Sequence, residues 1–351
     1  MLAANAASFA AASFTAPNAP PPSREYIERV RLGSKDQSHN VSLPAESSQQ
    51  DTGSAAAVHA NTQLVRAYTV WPTKNVFCCW GHCMAGPRED TGPNTCAWLT
   101  MLAPMALFLY TWGEQVAHRL PFLLAAVLAC FTSSIVSLLL VTFTDPGILP
   151  RNPDPDSIKQ QPPIYRNRVD EDGTVCTDTW CSTCLIYRPP RASHCQDCDN
   201  CVRDFDHHCP FTRNCIGARN YAFFILFLIS ISLSLGALLF SCVVLAGDSL
   251  PASSLDQLEM SRVANFMLIV FSVVMSLLLW GFTAYHVSLV VAGLTTKEHL
   301  KGRKNGTKRL SIAQRVECCS IPPSELEPRR LVPVVVARRI MGWKASPVNP
   351  T

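Results

Sequence analysis

The chain has 351 residues, 48% of them hydrophobic and only 16% charged, with a formal net charge of +4. Such a sequence is too apolar for an ordinary soluble domain, and it has no basic surplus that would point to nucleic acid.

Residues 1–70 are rich in Ala, Ser, Pro, Asn and Gln without a sustained apolar period, and read as a disordered N-terminal tail. The apolar opening has no charged n-region and no arginine before Arg24, so neither a signal nor a transit peptide is expected. A pre-membrane segment, 71–96, follows. Its Cys78-Cys79-x-x-x-Cys83 reads equally as a metal-ligand set or as an acylation target.

Four uncharged apolar runs come next: Ala97–Gly113, Leu120–Phe143, Tyr221–Gly247 and Val263–Leu294. Each has the length an α-helix needs to cross hydrocarbon, and Pro104 in the first is tolerable in a membrane helix. The expected fold is an all-α integral membrane protein with helices 1–2 over 97–143 and helices 3–4 over 221–294. The spans hold no Asp, Glu, Lys or Arg, which argues against a channel or transporter. Lys and Arg number nine in 144–220 and twelve after 294, but one each (Arg119 and Arg262) in 114–119 and 248–262. That bias places both termini, the 144–220 segment and the C-terminal tail 295–351 in the cytosol.

The 144–220 segment carries the chemistry. Between positions 181 and 215 lie seven cysteines (181, 184, 195, 198, 201, 209, 215) and three histidines (194, 207, 208). In the reducing cytosol such density argues for metal and reactivity rather than disulfides. Two closed tetrahedral zinc shells take eight ligands, and CxxC turns let two thiolates reach one ion. Three cysteines and a histidine per site leave one Cys and one His over. Asp206-His207-His208-Cys209 offers a carboxylate, an imidazole and a thiol, the parts of an activated nucleophile. Counting does not say which histidine is spare. The third span begins almost directly after Cys215, so Cys209 is expected at the membrane face. A membrane-anchored zinc-binding adaptor without catalysis is the alternative.

These residues resemble the Asp-His-His-Cys cysteine-rich domain of the protein S-acyltransferases (palmitoyltransferases). The pattern C-x2-C-x3-[RK]-P-x-R-x2-H-C-x2-C-x2-C-x4-D-H-H-C-x5-C falls on Cys181, Cys184, Arg188, Pro189, Arg191, His194, Cys195, Cys198, Cys201, Asp206-His207-His208-Cys209 and Cys215. Asp145-Pro146-Gly147 is similar to the family's DPG motif, and Thr295-Thr296-Lys297-Glu298 to its TTxE motif. The resemblance implies a protein-cysteine S-palmitoyltransferase, with a long-chain acyl group passing from acyl-CoA (palmitoyl-CoA) to Cys209 and on to a substrate cysteine. His207 would be the base, Asp206 its orienting carboxylate, and Thr296 a hydrogen-bond partner near Asp206. Two structural Zn2+ would be held, one by Cys181, Cys184, His194 and Cys201, the other by Cys195, Cys198, His208 and Cys215. Arg188, Arg191 and Arg219 are candidates for the CoA phosphates.

Asn75–Glu89 and Tyr187–His194 look similar to the Ras-palmitoylating subfamily. That likeness implies protein substrates with membrane-proximal cysteines, Ras-like small GTPases among them. It also implies a small accessory subunit and residence in the endoplasmic reticulum or Golgi. Phe211 stands where many relatives have Trp, and Thr212-Arg213 replaces a usually uncharged pair. The aromatic and Asn motif that relatives carry in the tail is not found. Cys318-Cys319 follows a basic run and reads as an acylation site. His286, inside the fourth run, reads as a packed or polar-paired interior residue.

Overall fold

A computed structural model describes residues 64–152, 158, 160–169, 173, 175–245, 255–302 and 331–333. The proposed disordered tail to residue 63, Cys318-Cys319 and most of 295–351 lie outside them. Four long helices dominate: α1 (Thr91–Arg119), α2 (Pro121–Phe143), α3 (Tyr221–Leu245) and α4 (Leu255–Ala292). All four are long and apolar enough to cross a membrane, as expected. The break between α1 and α2 is one residue, Leu120, whose backbone (φ −135, ψ 55) leaves the helical region. Pro121 then starts α2 at the first helical position, where its missing N–H costs nothing. Pro104 lies inside α1.

The α2–α3 interface is the most extensive between helices, followed by α3–α4. Away from those seams the helices present large apolar side chains outward, among them Tyr110, Phe122, Leu233, Phe240, Leu277 and Val291. Lipid, rather than water, suits such a surface.

The helices account for most of the fold, yet the cysteine-rich segment is built from strands. Twelve short strands occur among the described residues: β1 (Leu64–Arg66), β2 (Val76–Cys78), β3 (Cys83–Ala85), β4 (Ile148–Leu149), β5 (Tyr165–Val169), β6 (Val175–Cys181), β7 (Ile186–Arg188), β8 (Ser193–Cys195), β9 (Asn200–Val202), β10 (His207–Cys209), β11 (Asn214–Ile216) and β12 (Leu331–Pro333). Their hairpins are two or three residues deep, too short to be stable alone. Hairpins β8–β9 and β10–β11 pair His194 with Cys201 and His208 with Cys215 across the strands. Hairpin β2–β3 likewise pairs Cys78 with Cys83. A last helix, α5 (Thr296–Lys301), starts with a capping box in which Thr295 and Glu298 satisfy each other's backbone N–H.

The chain divides into two compact units. Among the described residues, 64–166 and those from Cys176 on fall in one unit, which contains every helix and cysteine cluster discussed below, and those in Asn167–Val175 fall in the other.

Candidate active site and metal clusters

Two four-ligand groups form, with the members that the family resemblance implies. Cys181, Cys184, His194 and Cys201 converge on one point, and Cys195, Cys198, His208 and Cys215 on another, with all ligand atoms of each group within 4.8 Å. His194 Nδ1 lies 3.4 Å from Cys184 Sγ and 3.7 Å from Cys201 Sγ. His208 Nδ1 lies 3.4 Å from Cys198 Sγ and 3.6 Å from Cys215 Sγ. A tetrahedron with bonds of about 2.0–2.3 Å to zinc has ligand–ligand edges of roughly 3.5–3.8 Å, so these donors fit the ion. The other ring nitrogens meet carboxylates: His208 Nε2 is 2.9 Å from Asp90 Oδ2, and His194 Nε2 is 3.5 Å from Asp199 Oδ1. A carboxylate behind a metal-facing imidazole fixes its tautomer and aim. After each CxxC turn the next residue is left-handed, Leu185 (φ 55) and Asp199 (φ 56). The ligand groups offer no open position, which suits structural rather than catalytic zinc.

With His208 turned to the second cluster, His207 is the spare histidine. Consecutive strand residues point to opposite faces, so the two imidazoles of β10 separate. His207 Nδ1–H donates to Asp206 Oδ2 at 2.9 Å. Thr296 donates twice to the same carboxylate, from its Oγ1–H to Oδ2 (2.6 Å) and from its N–H to Oδ1 (3.0 Å). Asp206 is fully buried, so this ring of donors is what keeps its charge tolerable there. On its other side His207 acts on the Cys209 thiol. Burial pushes the Cys209 thiol up, but the His207 hydrogen bond and charge, with Thr212, outweigh it and leave the thiol below its ordinary value. His207 shows the mirror image. Burial lowers it, while Asp206 and Cys209 carry it up to about 9. Carboxylate, imidazole and thiol form one chain.

Cys209 is 9% exposed and packs with Val141, Ile216, Tyr221, Phe224, Ile225, Leu228 and Val290, where α2, α3 and α4 meet the hairpins. A thiol thus sits against apolar side chains of a helix bundle that suits a membrane. His286 sits beside it, its ring 5.7 Å from His207 and 4.6–5.0 Å from Phe282 and Phe224. It is a packed interior residue, as expected, and it adjoins the reactive group.

Of the residues that hold this arrangement, Asn214 and Asn220 left no sign in the sequence, while several arginines and the DPG-like turn did. Asn214 Nδ2 donates to the carbonyls of Val141, Thr142 and Thr144 at 2.8–3.1 Å, satisfying groups that the end of α2 leaves without partners. Asn220 Nδ2 donates to Cys215 O at 2.9 Å and its Oδ1 accepts from Gly217 N–H at 2.9 Å, tying the hairpin to the start of α3. Arg191 is engaged with Glu298 Oε1 (3.0 Å) and Gly293 O (3.3 Å), which joins the zinc-ligand loop to α5. Arg219 Nε stands 3.8 Å from Asp145 Oδ2, and Arg188 Nη2 donates to Trp180 O at 3.5 Å. Arg213 Nε donates to Pro87 O at 3.1 Å, so the unusual cation braces the segment before α1. In the DPG-like turn, Asp145 Oδ1 accepts from Gly147 N–H (2.9 Å) and Ile148 N–H (3.0 Å). Gly147 sits at φ 104, which only glycine adopts freely.

A bundle of four membrane-capable helices and two zinc-type clusters framing a buried Cys–His–Asp chain define a membrane-bound thiol enzyme. The DHHC palmitoyltransferase family model matches residues 175–303. Palmitoyltransferase ZDHHC18-B of Danio rerio is 36% identical over 314 residues, covering 78% of each chain. Palmitoyltransferase ZDHHC9 of Homo sapiens is 33% identical over 300 residues, 78% of this chain and 81% of its own. Palmitoyltransferase ZDHHC8 of Drosophila melanogaster is 34% identical over 248 residues, 68% of this chain and 26% of its own. The chain belongs to the DHHC palmitoyltransferase family. It is a multi-pass membrane acyltransferase using acyl-CoA, and the adaptor alternative falls away.

Proposed function

We propose that Cys209 is the acyl-carrying nucleophile, with His207 as its base and Asp206 and Thr296 as the groups that hold His207 in place. The single observation that carries this is the relay Thr296–Asp206–His207, with 2.6 Å and 2.9 Å links, acting on the Cys209 thiol where the hairpins meet α2, α3 and α4.

The steps follow from the geometry. The Cys209 thiolate attacks the carbonyl carbon of the acyl-CoA thioester, and the acyl–sulfur bond to CoA breaks. The departing CoA sulfur takes the proton from His207. A substrate cysteine then gives its proton to His207 and attacks the Cys209 thioester, and Cys209 leaves as thiolate. One thioester replaces another at each step, so no further energy source is required. Imidazole suits both roles: carried up to about 9, His207 holds the proton taken from one thiol and gives it to the departing sulfur. Val141, Phe224, Leu228 and Val290 offer the acyl chain an apolar wall next to the sulfur. Zinc at the two Cys/His clusters would hold the hairpins in shape, and because His208 adjoins Cys209 the second cluster sets the nucleophile's position.

The proposal extends to the Lys/Arg bias of the loops, which supports a cytosolic active site and cytosolic termini, and to the domain layout 71–96, 97–143, 144–220, 221–294 and 295–351. Arg188, Arg191 and Arg219 remain the cations proposed to meet CoA phosphates, through whichever N–H groups their internal contacts leave over. The pre-membrane and Tyr187–His194 likeness supports Ras-like protein substrates, a small accessory subunit, and an endoplasmic reticulum or Golgi membrane.

The test is hydroxylamine-sensitive self-acylation of the full chain, purified in detergent and given a fatty acyl-CoA, alongside Cys209→Ser. Label on wild type alone, with about two tightly held zincs in both proteins, supports the assignment. Label retained by Cys209→Ser at wild-type level sinks it.

A further inference from the structure

Hairpin β2–β3 repeats the ligand geometry of the two Cys/His clusters. In β8–β9 the cross-strand pair His194–Cys201 supplies two ligands of one cluster, and in β10–β11 the pair His208–Cys215 supplies two of the other. In β2–β3 the cross-strand pair is Cys78–Cys83, and Cys79 joins it, the three sulfurs all lying within 4.8 Å. Three thiolates around a cation at bonds of about 2.3 Å stand roughly 3.8–4.0 Å apart, so a shift of less than about 1 Å closes the site. Cys78 and Cys79 are exposed and Cys83 half-buried, unlike the buried cysteines of the other clusters.

The backbone holds this convergence. Three successive residues of the turn are left-handed: Cys79 (φ 50), Trp80 (φ 59) and Gly81 (φ 84). The first two are not glycine and resist that conformation, so the turn persists only where its surroundings enforce it. Gly81 is required here. A Cβ at this position would come 2.6 Å from Tyr68 Cδ1. The hairpin is also anchored to the zinc-type domain. Lys74 N–H donates to Cys198 O at 3.3 Å, Asn200 Nδ2 donates to Asn75 Oδ1, and Met84 is buried against Cys195, Cys198 and Cys215. The thiols are therefore gathered before any ligand arrives, which removes most of the ordering cost of binding.

We infer that Cys78, Cys79 and Cys83 form a third metal site, a three-thiolate surface site for a thiophilic d10 cation, zinc(II) or copper(I). Soft thiolate donors select those ions, and the acylation reading of the same cysteines does not explain why a strained turn brings a third thiol onto a cross-strand pair. With three protein ligands and an exposed face, this site exchanges its ion faster than the closed four-ligand clusters. Each thiol that binds gives up its proton, so occupancy falls as pH is lowered.

The experiment counts metal by plasma mass spectrometry in the full chain, purified in detergent under a phosphine reductant. It compares wild type, Cys79→Ser and the double variant Cys78→Ser/Cys83→Ser, each loaded separately with zinc(II) and with copper(I). The expected result is about one more equivalent in wild type than in either variant, in whichever loading supplies the preferred ion. A chromogenic chelator should remove that equivalent at least about tenfold faster than the remaining two. Undiminished self-acylation and two retained zincs show that the variants are folded. Equal metal counts in wild type and both variants under both loadings overturn the site. So does intact-mass evidence that two of the three sulfurs, in protein purified without reductant, are joined in a disulfide, or that the sulfurs carry acyl groups instead.

Discussion

The two ends of the helix bundle are built on different principles. Where α1 turns into α2, Met105, Phe108, Trp112, Val116 and Val127 interlock with Leu238, Cys242, Leu245 and Leu268. The polar contact there is a buried Trp112 Nε1–H to Asn265 Oδ1 bond of 2.8 Å. At the other end Cys209, His207, Asp206 and His286 are set among aromatic rings and tied by charged and amide hydrogen bonds to hairpins and α5. One end is dry and apolar. The other holds a buried carboxylate, which only a complete set of donors makes tolerable. Apolar packing and chemistry thus lie toward opposite ends of α2 and α3, and substitutions at the two ends should separate them.

His207→Gln tests that division with the largest effect. Loss of a positioned general base lowers self-acylation by about 10²–10⁴-fold, while the thermal midpoint should stay near wild type. A midpoint that falls with the rate would show that the reactive end also carries stability. The pH profile sharpens the point. Because His207 holds the Cys209 thiol below its ordinary value, the rate of wild type rises with thiolate at a lower pH than a free cysteine would allow. Without the imidazole the rise should move to higher pH, as followed by initial rates across the neutral range.

Phe108→Ala makes the converse case at the dry end. Lipid tails are as apolar as the core, so burial from water contributes nothing between these helices, and the cost is that of the cavity, roughly 2 kcal/mol. Thermal unfolding in detergent should report that loss, with self-acylation per folded molecule unchanged. Thr296→Val removes one of two Thr296 bonds to Asp206 and leaves the backbone N–H in place. About a tenfold fall in rate is expected, worth about 1.4 kcal/mol. Thr296→Ser should recover most of it, which a packing effect would not allow. The smallest change is Asn265→Ala. Interhelical hydrogen bonds in membranes average about 0.6 kcal/mol, so a small drop in midpoint and no change in rate are expected.

Much of this site was legible because its signals are local. The CxxC turns and apolar runs are read along the chain: all four helices formed where the apolar runs lie, and the two metal groups took the members that the family resemblance implied. What stayed hidden depends on contacts between distant segments. Asp90, at the start of α1, looks like any helix-start carboxylate until it reaches His208 across 118 positions. Asn214 is unremarkable until its amide meets the carbonyls that end α2. Arg191 stands out in the sequence only by its charge and its place in the motif, and its pairing with Glu298, 107 positions away, is visible only in the fold.

The sequence by itself determined the class of fold, the ligand types and the surplus of one thiol and one imidazole, because composition and spacing are properties of the chain. Counting ligands left open which histidine was surplus; the family resemblance implied His207, and the tertiary structure supplies the physical reason. His207 and His208 are chemically identical neighbours, and a strand sends successive side chains to opposite faces. The pairing of His208 with Cys215, and the place where that hairpin meets the helices, turned one ring toward a metal cluster and the other toward Cys209.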